Sequence, residues 1–140
     1  MDTKLILAIT VGIILLLIVL FSTVYINSKK ISSSKVAEIR KKLDELSISI
    51  QSVEDAIRRD GVVKLDNLLS KVLQLRYNNT LSCGENLKKA KDLFERKEYN
   101  ELWNAHKIRN NIVHNDYEIS PTEADSVYKI YKSSINKLLK

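Results

Sequence analysis

Glycine is scarce in this 140-residue chain: only Gly12, Gly61 and Gly84 occur, so no glycine-rich loop is available to cradle a nucleotide phosphate. Cys83 is the sole cysteine, which excludes an internal disulfide and any C-x-x-C pair and agrees with a reducing compartment. It sits in turn chemistry beside Gly84 with no catalytic pattern around it. The two histidines, His106 and His114, stand eight apart without an H-E-x-x-H arrangement, so no metal site and no cofactor are expected. Strand-type alternation, internal repeats and low-complexity segments are also missing, which leaves an all-α class. Trp103 and the tyrosines recur at helical spacing, which suits packing better than base stacking, and none of the usual DNA- or RNA-reading modules is evident.

What the chain does have is a long uncharged run, Leu5 to Ile26. At about 1.5 Å per residue it spans roughly 33 Å, enough for a hydrocarbon core of about 30 Å. A cleaved signal peptide would have a shorter apolar region and a small-residue cleavage site, and Thr23-Val24-Tyr25-Ile26-Asn27 offers no such pattern. A retained single-pass anchor over residues 1–30 is therefore expected. Asp2 and Lys4 precede the run, whereas Lys29, Lys30, Lys35, Arg40, Lys41 and Lys42 follow it. The positive-inside rule then places the C-terminal part in the cytoplasm, beneath the cell membrane. There the sequon Asn78-Asn79-Thr80 is a coincidence.

The flank before the run is neutral, so the whole net charge of +6 belongs to the remainder of the chain. A basic domain suits an anionic partner, either nucleic acid or the lipid head groups of the inner leaflet. For the basic juxtamembrane segment over residues 29–42, anionic lipid accounts for the charge at least as well as RNA does.

After a polar hinge at residues 31–35, residues 36–140 read as one helical domain. Val36, Ile39, Leu43, Leu46, Ile50, Val53 and Ile57 alternate in steps of three and four, as in one seam of a bundle or a short dimeric stalk. Asp60-Gly61 is the expected end of that helix. Val62 through Leu75 mark a second helix running to about Tyr77, and Asn78 to Gly84 a turn. Leu87, Ala90, Leu93 and Phe94 mark a third. Asn100 is the expected cap of a fourth, with Leu102, Ala105, Ile108 and Ile112 inward. Ser120-Pro121-Thr122-Glu123 is a capping box with proline at the first helical position, so a fifth helix starts there and buries Ala124, Val127, Ile130 or Tyr131, Ile135 and Leu138.

The chemistry-bearing block is Arg109-Asn110-Asn111-Ile112-Val113-His114. Arginine presents a planar fork of donors that matches phosphate oxygens, and histidine can give or take a proton near neutrality. His106, Asn110 and His114 form a polar row at i, i+4 and i+8, while Arg109 lies about 140° from His114 on an ideal helix. The two converge only through the length of the arginine, a distorted helix end, or a second protomer. The bland alternatives are an Arg109 that caps carbonyls or pairs with Asp116 or Glu118, and a His114 held at the helix end by the macrodipole.

This block resembles the R-x4-6-H signature of the HEPN superfamily, small helical domains many of which are metal-independent ribonucleases. The resemblance covers the motif and the helix after it, and the rest of residues 36–140 as an all-helical pattern. It implies a four- to five-helix bundle that works as a homodimer, with the motif in a cleft between protomers. It also implies RNA as the substrate and roles for three residues. Arg109 would stabilise the phosphate, His114 would transfer protons, and Asn110 would orient the substrate or the histidine. His106 is expected to matter much less. Some members add an acidic residue from an earlier helix, which the sequence does not place. One toxin branch carries a modified tyrosine two residues after the histidine. Here Tyr117 comes three after, so that regulation is not carried over. A biological role as a stress, toxin or antiviral effector rests on the same analogy. The competing expectation is a non-enzymatic, membrane-tethered module for dimerisation or partner recruitment, or a coiled-coil stalk.

Overall fold

Six α-helices and no strand make up the described residues of the computed structural model, which are 2–28 and 31–140. The basic residues Lys29 and Lys30, on which the topology expectation leans, lie outside them. The chain divides into two compact units, Met1–Lys30 and Ile31–Lys140.

The first unit is α1, Thr3–Ser28. Its apolar stretch, Thr3–Thr23, is 21 residues long and sufficient in length and composition to cross a membrane. None of its described side chains is buried, as befits a helix that is apolar all round. Three of its hydroxyls turn back onto the helix: Thr10 donates to the Leu7 carbonyl at 2.8 Å, Ser22 to that of Ile18 at 2.7 Å and Thr23 to that of Leu20 at 2.8 Å. Hydroxyls satisfied in this way carry no unmet donor into an apolar medium.

The second unit contains α2 (Ser33–Ile50), α3 (Asp55–Tyr77), α4 (Cys83–Lys89), α5 (Arg96–His114) and α6 (Pro121–Leu138). Ile31 already packs against the core and Ser33 is helical, so the polar hinge is largely part of the bundle. Helix α3 is central and touches each of the other four. Val62, Leu65, Leu68, Leu69, Val72 and Leu73 are buried along it, while Leu75 lies at its exposed margin.

The heptad seam of α2 stops at Ile50. Ile39, Leu43 and Ile50 are buried against α3 and α6, and the Tyr128 hydroxyl donates to the Leu43 carbonyl at 3.1 Å. Val53, in contrast, is 93% exposed. The seam is thus satisfied within one chain, as part of the bundle core, and is not left to form a stalk. Serines and β-branched residues crowd Ser47 to Val53, and all are weak helix formers, so the helix yields there rather than at Gly61. Gly61 lies inside α3. A Cβ at that position would come within 3.1 Å of Ile50 Cδ1 and 3.2 Å of Ser49 Cβ, so the glycine permits the close crossing of α2 over α3.

Two other boundaries differ from expectation. The helix marked by Leu87 to Phe94 is divided into α4 and a 3₁₀ turn at Lys91–Leu93. Helix α5 starts at Arg96 rather than after Asn100, because the Glu95 N–H donates to the Glu98 carboxylate at 3.1 Å and closes its first turn. Ile108 is only half-buried, and of the two alternatives expected on α6 Tyr131 takes the inward position over the half-buried Ile130.

Candidate functional site

Helix α5 turns Arg109 toward the core, while Ile108 packs at the core's margin. Leu102, Ala105, His106 and Ile112 are buried on the same side, so Arg109 sits near the centre of the inward face. Opposite it on α3 stands Asp66, which is 2% exposed. Asp66 Oδ2 lies 3.5 Å from Arg109 Nε, an ion-pair distance without hydrogen-bond geometry, and that nitrogen is buried with no other partner. Arg109 Nη1 donates to Asn110 Oδ1 at 3.1 Å, and the side chain keeps 24% of its surface exposed. The guanidinium is thus gripped at its inner edge and open at its outer one.

Asp66 gathers three further groups. His106 Nδ1 is 2.7 Å from Oδ1, the Tyr131 hydroxyl donates to the same oxygen at 2.9 Å, and the Cys83 thiol lies 3.7 Å from it. An ionised carboxylate only accepts, so the proton in the His106 contact sits on Nδ1. Burial pushes the Cys83 thiol up, and the Asp66 charge pushes it further. The same two causes hold the Tyr131 phenol well above its ordinary range. His106 is therefore the member of the polar row that turns into the core.

Donor atoms of Asp66, Cys83 and His106 lie within 4.8 Å of one another, a spacing that could hold a metal ion. The chemistry of the set argues for another use. The positive charge is already supplied by Arg109, one carboxylate oxygen, Oδ1, already meets His106, Tyr131 and Cys83, and the thiol is held in its protonated form. A divalent cation would have to displace the arginine and strip that proton.

His114 ends α5 on the opposite side and is exposed, so the 140° separation from Arg109 persists and the two do not converge within one protomer. Asp116 follows with φ 48°, a left-handed conformation that aspartate tolerates better than most residues, and pairs with Arg59 Nη2 at 2.5 Å. Neither Asp116 nor Glu118 pairs with Arg109 among the described residues. This end of the bundle is fixed by Arg58, whose Nε donates to the Ile119 carbonyl at 2.9 Å and whose Nη1 donates to those of Ser52 and Val53 at 2.9 and 2.8 Å. Asp55 accepts the Ile119 N–H at 2.9 Å.

The residue that sequence reasoning missed is Asp66. The signal was present: Asp66 stands four after Val62 and three before Leu69, a charge on an otherwise apolar stripe, and Arg58 marks the same stripe two turns earlier. A charge at such a position needs a buried partner, and α5 supplies it. The chain matches no described protein family, no curated protein and no solved structure.

Proposed function

We propose that this chain is a membrane-anchored, HEPN-like ribonuclease domain that acts as a homodimer without metal, with Arg109, Asn110 and His114 as the catalytic residues. Helix α1 is the single span, and residues 31–140 face the cytoplasm. The observation that carries the proposal is the state of Arg109: its inner edge faces the buried Asp66 at ion-pair distance, and its outer edge, beside Asn110, keeps surface open to an anion. Asp66, on the earlier helix α3, adds support, since some members of that superfamily contribute an acidic residue from an earlier helix.

Self-cleavage of RNA needs a base for the 2′-hydroxyl, an acid for the leaving 5′-oxygen and charge stabilisation of the phosphorane. The 2′-oxygen forms a bond to phosphorus as the bond to the 5′-oxygen breaks, which gives a cyclic phosphate and a free 5′-hydroxyl. One protomer offers a single exposed histidine at the end of α5. A two-fold pair offers two, one to take the proton and one to return it, and it resolves the separation of Arg109 from His114.

The test is cleavage of single-stranded RNA by the purified chain in the presence of a chelator, with the matching DNA spared. His114→Ala should abolish cutting with helicity intact. Arg109→Lys should lower it at least tenfold, since lysine cannot offer the planar fork. Mixing the two variants should restore part of the activity, through one composite site per heterodimer. His106→Ala is not a neutral control, because it strips a donor from Asp66; exposed Lys107→Ala is.

A second reading, a non-enzymatic interaction module, is favoured by one observation. His114 is neighboured by exposed Asp116 and Glu118, whose charge repels a polyanion, and by Val113, which is 47% exposed. A folded dimer that cuts no RNA under any of these conditions would support it.

A further inference from the structure

The second unit divides its charge between its two ends. At one end, Glu54, Asp60, Asp116 and Glu118 are exposed, while Arg58 is occupied by three carbonyls and Arg59 by Asp116. The other end is where α2 begins and where α3 and α6 finish. There Arg76 donates to the Leu138 carbonyl at 2.7 Å, and Lys137 reaches both the Glu98 carboxylate at 2.6 Å and the face of Phe94 at 5.5 Å. Between these elements the junction of α4 and α5 presents Lys88, Lys89, Lys91 and Arg96, which outnumber the exposed Asp92 and Glu95 beside them; the four cations are exposed and none is in an ion pair among the described residues. Lys91, Asp92, Arg96 and the half-buried Tyr99 share the wall of an open concavity of about 700 Å³, so its lining sets two cations against one carboxylate.

From this arrangement we infer that the cationic end is a docking surface for an anionic lipid bilayer, with the concavity at Lys91, Arg96 and Tyr99 receiving a phosphate-bearing head group. Lysines and arginines near an anionic leaflet are drawn to it, and a tyrosine with one polar edge suits the interface. Two features favour lipid over RNA as the occupant. Ile31, the first residue of this unit, packs at the cationic end and directly follows the unit that holds the apolar helix, so a tether to lipid enters there and keeps the local lipid concentration high. The 19 residues of α5 separate this end from His114 by roughly 28 Å, so an RNA held at Lys91 and Arg96 is not thereby brought to the motif. The proposal rests on α1 as a membrane anchor and is independent of RNA cleavage.

The test uses the full chain in lipid nanodiscs, either phosphatidylcholine alone or with about a third replaced by phosphatidylserine, read by amide hydrogen exchange. Residues 86–99 should exchange at least about threefold more slowly in the anionic discs, the gain should vanish at high salt, and residues 112–120 should not change. Reversing the charges together (Lys88→Glu, Lys89→Glu, Lys91→Glu, Arg96→Glu) should abolish the gain while the circular dichroism stays helical. Should that variant not fold, the milder pair Lys88→Gln and Lys91→Gln should lose about half of it. Equal exchange in the two kinds of disc overturns the proposal, as does a gain that survives either set of substitutions in a folded chain. It also falls if a 2′-O-methylated single-stranded RNA protects these residues in neutral discs and the anionic lipid does not.

Discussion

Arg109 and His114 leave α5 on opposite sides: the guanidinium turns inward, with Nε 3.5 Å from Asp66 Oδ2, while the imidazole turns out into solvent. The separation assigns them different duties. Arg109 is a fixed charge whose position depends on the bundle interior, whereas His114 depends on whatever approaches the end of the helix.

Asp66 is accordingly the residue whose loss should be felt most. Replacing it with alanine leaves Arg109 without its counter-charge and His106 and Tyr131 without an acceptor. A cost of about 3–5 kcal/mol is expected in urea denaturation of residues 31–140. A double-mutant cycle of Asp66→Ala with Arg109→Met should show a coupling of about 1–3 kcal/mol, and strict additivity would disprove the pairing.

Residues 31–140 alone should be soluble and helical, since the second unit has its own core, and should dimerise. Leu43→Ala should lower stability by about 2–5 kcal/mol, and the half-buried Leu46→Ala by less. Val53→Ser, at a position 93% exposed, should stay within about 0.5 kcal/mol. Should Leu43→Ala remove dimerisation alone and leave stability unchanged, the seam would be intermolecular.

Asn78 closes α3 with φ 48° and ψ 53°, and its N–H donates to the Gln74 carbonyl. Asn78→Gly should raise the melting temperature slightly. Asn78→Ala should cost about 1 kcal/mol, because alanine keeps the Cβ that is strained in the left-handed region and loses the short polar side chain that lets asparagine adopt it. Identical melting of all three proteins would rule out that backbone conformation.

Stability should fall in alkali. The fold holds Cys83 and Tyr131 in their neutral forms at pH values where the unfolded chain releases both protons, from about 8.5 for the thiol and about 10 for the phenol. Their contribution is complete below those values and declines as pH rises toward the raised folded-state values. The urea midpoint should therefore drop between about pH 7.5 and about pH 10, and drop less in Cys83→Ala. A thiol reagent should modify native Cys83 far more slowly than unfolded Cys83.

Local signals in the sequence transferred to the fold where the cause was itself local. Ser120 and Pro121 open α6 as expected, and the Ser120 hydroxyl accepts the Glu123 N–H at 3.2 Å. The other half of the expected box is absent because the Glu123 carboxylate accepts the Tyr117 hydroxyl at 2.9 Å instead, which also pushes that phenol up. Features decided by tertiary contact were less legible. Gly61 looks like a stop signal until Ile50 and Ser49 are seen crossing it, and Asn100 looks like a cap until Glu95 and Glu98 close the turn before it. The motif alone singles out Arg109 as a candidate. That it lies inward depends on Asp66, 43 residues earlier, and spacing within one helix does not contain that information.

Arg58 bridges two segments far apart in sequence, the turn after α2 and the loop after His114, through the carbonyls of Ser52, Val53 and Ile119. The two must therefore loosen together or not at all. A ligand or second protomer that settles on His114 meets a surface already stiffened from behind and loses little chain freedom on contact. Conversely, a disturbance at the turn after α2, which touches neither Arg109 nor His114, reaches the motif through one guanidinium.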